Sequence, residues 1–146
     1  MSEALPIDAL YDDFRAAHAD GSVVVAAATG SGKSTRLPLW AREQGPVLVV
    51  EPRRVACTAL AGYLAQLNGA ELGREIGYAI RFDHQCRDDT PVVFATPGVA
   101  LRWLSEGKAD RFATVILDEF HERRWDTDLL LALLKDRGEH RLILTS

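Results

Sequence analysis

Two strings in this chain place small, cationic and acidic residues directly after apolar runs. In AATGSGKST, residues 27–35, glycines at 30 and 32 let a backbone turn its N–H groups inward around an anion. A helix opening at Lys33 adds the positive end of its dipole to the same point. Thr29, Gly30, Ser31, Gly32 and Thr35 then line a polyphosphate. Lys33 reaches its outer phosphates, and the Ser34 hydroxyl is placed for Mg2+. The string departs from the GxxxxGK[ST] pattern at its first position, where Ala27 stands for Gly.

The second string, VILDEFHER at residues 115–123, puts two carboxylates at the end of an apolar strand, where burial and nearby cations set their charge. Asp118 would hold Mg2+ through water, with Glu119 beside the same ion orienting and deprotonating an attacking water. An Asp-Glu pair after a strand also serves as an ordinary helix cap with a first-turn acid. Its pairing with GSGKS favours the chemical reading, in which Ser34, Asp118 and Glu119 form the metal set beside a bound nucleotide.

Positioning these strings requires strands that end where helices begin. Residues 8–19 have helical spacing, with Asp20-Gly21 as a stop. Residues 22–28 read as a buried strand, followed by the Gly-rich turn and a helix from Lys33. A strand over 47–50 and a helix over 53–67 follow. Strands over 76–82 and 91–95 flank a charged loop, 83–90, and a short helix starts near Val99. Residues 113–117 form a strand running into Asp118, 127–135 an apolar helix and 141–145 a last strand. This alternation predicts an α/β fold of three layers, a parallel sheet with right-handed crossovers covered on both faces, with ligands beyond the carboxyl ends of the strands.

Composition fits one globular domain. The 146 residues, 47% hydrophobic and 26% charged, carry no repeat and suffice to bury about two-thirds of the unfolded surface. No cation precedes Arg15, so the start lacks the positive end of an export signal, and no apolar run nears the roughly 20 residues that cross a bilayer. A soluble, cytoplasmic protein is expected. Cys57, in a helix, and Cys86, in a polar loop, suit a reducing compartment and form no disulfide framework. His18, His84 and His140 read as scattered surface residues, without the spacing of metal ligands. A net charge of −4 argues against a protein that coats nucleic acid by bulk charge, while leaving room for a few placed arginines.

The ordered strings ATGSGKS, EPRR, TPG and DEFH resemble motifs I, Ia, Ib and II of the DEAH-box helicases of superfamily two, over nearly the whole chain. GYAIRFD and HERRWDTDLLLALL resemble the corresponding family segments. The DEFH spelling and the LPID start look most like the bacterial HrpB-type members. The resemblance implies a P-loop NTPase, RecA-like domain spanning residues 1–146 of an ATP-dependent helicase. It also implies Arg53, Arg54 and Thr96 as contacts to the sugar-phosphate backbone of single-stranded RNA or DNA. Arg81 and Arg102 are weaker candidates, equally well explained as solvated or salt-bridged arginines. His121 would link the nucleotide site to a second motor domain; without the motif it is a surface histidine at a helix start.

Two departures from the family pattern bear on function. Nine positions after Arg54, where many members place an adenine-stacking arginine, stands Tyr63, which stacks on a base without the cationic attraction or simply packs on its helix. RLILTS reaches only the opening of motif III, so the second RecA-like domain, with its arginine fingers, is expected outside this sequence and the domain alone is expected to hydrolyse ATP slowly or not at all. A non-catalytic module that binds nucleotide or single strands is the alternative. A small-molecule P-loop kinase leaves EPRR, TPG and DEFH unexplained.

Overall fold

The structure is a computed structural model that describes residues 6–25, 32–122 and 124–145, with Pro6 and His121 through their backbones alone. A 3-10 turn, Pro6–Leu10, leads into α1, Tyr11–Asp20. There follow β1 (Val23–Val25), α2 (Lys33–Ala41), β2 (Val47–Val50), α3 (Arg54–Leu67), β3 (Ile76–Ile80) and β4 (Asp83–Gln85). The remainder comprises β5 (Val92–Ala95), α4 (Pro97–Glu106), β6 (Thr114–Leu117), α5 (Trp125–Arg137) and β7 (Arg141–Thr145). The strands form one sheet in the order β1-β7-β6-β2-β5-β3-β4, parallel except where β4 pairs antiparallel with β3.

Because the sheet is covered on both faces, its central strands β2 and β5 are apolar at every position, as VLVV and VVFA. Alternation then assigns each side chain to a layer. Val47 and Val49 face α1, α2 and α3 with Phe14, Leu37, Ala61, Leu64 and Phe94. Leu48 and Val50 face α4 and α5 with Val99, Leu104, Phe112, Leu130 and Leu134. The helices thus pin the sheet from both sides, which holds the strand ends fixed against one another. No helix among the described residues is long and apolar enough to cross a membrane.

Three expectations need correction. The segment 83–90 is not all loop, since its first three residues form β4, an exposed edge strand whose polar sequence hides the pairing. The sheet is therefore mostly parallel, with an antiparallel border. His18 and His140 are not surface residues. His18 is buried with Nε2 2.8 Å from the Thr114 hydroxyl, and His140 is buried with Nε2 2.9 Å from the Ala109 carbonyl. In each case one ring nitrogen finds a polar partner inside the core, while Nδ1 of His140 is buried without a hydrogen-bond partner among the described residues. Cys86 lies in a loop, as expected, and is half-buried beside that edge.

Candidate active site

The parallel strands deliver their following residues to one edge of the sheet. Val50 lies opposite both Ala95 and Leu117, and Leu117 lies opposite Leu144. Glu51, Thr96, Asp118 and Thr145 therefore leave the sheet in step. Backbone bonds hold the alignment past the strands, from Glu51 N to Ala95 O at 2.9 Å and from Asp118 N to Val50 O at 3.0 Å.

Gly32, at φ 97°, takes the left-handed turn that opens α2, and no side chain caps this helix start. Thr35 donates its hydroxyl to the Gly32 carbonyl at 3.1 Å. Lys33 is 6% exposed, with Nζ 3.7 Å from Glu119 Oε1. The Ser34 hydroxyl donates to Asp118 Oδ2 at 3.0 Å, and the Thr145 hydroxyl donates to Asp118 Oδ1. The structure thus brings Lys33, Ser34, Asp118 and Glu119 together. Thr29, Gly30 and Ser31 lie outside the described residues, as does the side chain of His121.

Asp118 owes its charge to its neighbours. Burial alone would raise its carboxyl, but hydrogen bonds from Glu51, Thr145 and Ser34, with the Lys33 charge, hold it below the usual aspartate range. Glu51 is the reverse case. Burial first, then the hydrogen bond and charge of Asp118, push its carboxyl up to about 10. Glu51 is accordingly the protonated member of the pair and donates to Asp118. Its Oε2 is buried without a hydrogen-bond partner among the described residues.

Glu119 sits at φ 57°, a left-handed conformation that costs a non-glycine residue roughly 1 kcal/mol or more. Two bonds hold it there: its N–H donates to Thr145 Oγ1 at 3.2 Å, and its carbonyl accepts from Glu122 N at 3.1 Å to close a 3-10 turn, Phe120–Glu122. Glu122 in turn accepts from Arg53 Nη2 at 2.6 Å. That bond, followed by the Glu122 charge, raises the Arg53 guanidinium further above its usual range.

The sequence profile of the DEAD/DEAH box helicases matches residues 12–145. This chain belongs to that family. The DEAD/DEAH box helicase domain is similar to a protein of Homo sapiens named probable ATP-dependent RNA helicase DHX35, 41% identical over 138 residues, which are 86% of this chain and 20% of that one. Its Caenorhabditis elegans homolog is 35% identical over 136 residues, covering 86% and 19%. The crystal structure of the E. coli DExH-box NTPase HrpB superposes with a TM-score of 0.90 at 34% identity, over 100% of this chain and 19% of that one. The chain spans about one fifth of the length of the curated relatives it matches.

Within this helicase domain the expected nucleic-acid residues lie at the same edge. Arg53 precedes α3, and Arg54 begins that helix and donates to the Arg81 carbonyl at 3.4 Å; Thr96 caps α4 ahead of Pro97. Arg81 lies over the ring of Phe82, 4.7 Å from its centroid, while Arg102 is exposed on α4. Tyr63 is half-exposed on α3, nine residues beyond Arg54. Glu51, Glu122 and Thr145 joined the site unannounced. The available signal for Glu51 was an acid ending an apolar strand, the same signal that marks Asp118.

Proposed function

We propose that this domain binds Mg2+–ATP through residues 29–35, Asp118 and Glu119, and that in the intact helicase it couples hydrolysis to movement along single-stranded RNA or DNA. The observation that carries this reading is the bonded chain Ser34–Asp118–Thr145 with the Lys33–Glu119 pair beside it. The donor set suits the ion: a hydroxyl and an ionised carboxylate, 3.0 Å apart, are hard oxygen ligands of the kind Mg2+ takes alongside phosphate. Among the described residues no three His, Cys, Asp or Glu side chains converge into a metal cage, so phosphate oxygens and water must supply the remaining positions. The uncapped start of α2, with no acid in its first turn, leaves room for an anion.

Mg2+ held there would supply positive charge that offsets the outer phosphates of the nucleotide. Lys33 turns from Glu119 toward those phosphates, and Ser34 and Asp118 hold the ion. Glu119, parted from Lys33, orients a water for in-line attack and accepts its proton. Tyr63 offers a face to the base, Arg53, Arg54 and Thr96 hold the strand backbone, and His121 passes the state of the site to a second RecA-like domain that completes it with arginine. Two cysteines without a disulfide suit a cytoplasmic location.

The test is a titration of the chain with fluorescent ADP, and with ATP plus Mg2+, following phosphate release with and without single-stranded RNA. Lys33→Ala should weaken nucleotide binding by roughly tenfold or more, the scale of a lost charge-assisted bond. Glu119→Gln should leave binding within about threefold of wild type and remove whatever release is seen. Fast turnover by this domain alone would show that no second domain is needed.

A further inference from the structure

The Arg53–Glu122 ion pair connects two parts of the site that the preceding reading treats separately. Arg53 sits just before α3 with its side chain 63% exposed, and Glu122, 26% exposed, ends the 3-10 turn that closes on Glu119. One guanidinium thus bonds to the segment that fixes the left-handed Glu119, which itself faces Lys33. A phosphodiester approaching Arg53 presents the same forked anion that Glu122 presents now. We propose that Glu122 is a positioning residue that occupies Arg53 in place of a nucleic-acid phosphate, and that phosphate binding at Arg53 frees the Phe120–Glu122 turn and releases Glu119 from Lys33.

The proposal rests on the reading of Arg53 as a backbone contact. Coupling follows from the geometry. With Glu122 bound to Arg53 the turn is tied to the start of α3 as well as closed on the Glu119 carbonyl; without that pair the tie to α3 is lost. Nucleic acid and nucleotide would then assist one another, because each favours the arrangement in which Lys33 and Arg53 face phosphates instead of Glu119 and Glu122. Since the pair is largely exposed, the effect should be modest and weaken with salt.

The experiment measures the affinity of the 146-residue chain for a single-stranded oligouridylate, and for a fluorescent ATP analogue with and without that oligonucleotide. In wild type, saturating RNA should tighten the analogue by about 2- to 5-fold, the range of an exposed ion pair. Glu122→Gln should tighten RNA by a similar factor and abolish the effect of RNA on the analogue, with Glu122→Asp intermediate. A purely structural role for Glu122 would lower both affinities, so weaker or unchanged RNA binding in Glu122→Gln, or coupling that persists, overturns the proposal. Arg53→Gln separates the two levels. If it weakens RNA binding while Glu122→Gln does nothing, the backbone contact stands and the switch fails; if neither variant alters RNA binding, the Arg53 assignment fails and takes the switch with it.

Discussion

Glu51 carries a thermodynamic cost that its position explains. A carboxyl held protonated in the fold but ionised when unfolded makes the unfolded chain bind fewer protons, so stability falls as pH rises from the unfolded value of 4.5 toward about 10. The slope approaches about 1.4 kcal/mol per pH unit. Glu51→Gln keeps a donor to Asp118 and removes the titration. Urea unfolding without Mg2+ should show the variant gaining on wild type by roughly 1 kcal/mol between pH 7 and pH 8, and parallel profiles would contradict the buried protonated state. The same residue marks the limit of sequence reading at this scale. GSGKST and DEFH stood out in the sequence because their spacing matches the patterns of phosphate- and metal-binding loops. Glu51 and Thr145 are ordinary residues whose role comes from strand register, which brings residues 51, 118 and 145 together across 94 positions of chain.

At the scale of elements, periodicity located the inner strands and the helices because burial on one or both faces dictates their apolar content. β4 escaped detection since its three residues are exposed and polar, and its pairing depends on Gly77 instead. A Cβ at Gly77 would collide with the Gln85 carbonyl oxygen and approach Cys86 Cβ at 2.9 Å. Gly77→Ala should therefore push β4 from the sheet, costing about 1–3 kcal/mol and lowering the melting temperature by several degrees. Amide exchange at residues 83–85 should accelerate more than at β2. Phe82, in the two-residue connection between β3 and β4, is the opposite case. It is 91% exposed at φ 69°, so its ring buries little while its backbone is strained. Phe82→Asn, which tolerates that conformation, should raise stability by roughly 0.5 kcal/mol in urea titrations after losing the Arg81 stacking.

The whole molecule is tied front to back by the N-terminal helix. His18 on α1 meets Thr114 on β6, and Arg141 of β7 donates from Nε to the His18 carbonyl at 2.9 Å. Burial, then the Arg141 charge, lowers the His18 ring below its usual value, so the fold keeps it neutral while the unfolded chain takes up a proton below about pH 6.5. Stability from His18 is thus lost as pH falls through that range, opposite in sign to the Glu51 contribution. Just below pH 6.5 the two oppose each other, so stability measured by urea unfolding should depend less on pH there than above that value, where the Glu51 contribution acts alone of the two and stability falls. Thr114→Val, which leaves the buried ring without its partner, should cost about 1–3 kcal/mol in the same assay.

Stability is also unevenly shared across the sheet. Among the described residues β1 borders it, bonded on one side to β7 and with Val24 74% exposed, whereas β2 and β6 are enclosed by neighbours. A border strand opens at lower free energy than a central one. The strand leading to the proposed phosphate-binding residues should therefore open more readily than β2, β6 and their acids. A ligand that bridges Lys33 and Asp118 would bind only the closed form, and the amides of residues 23–25 should gain more exchange protection from nucleotide than any in β5.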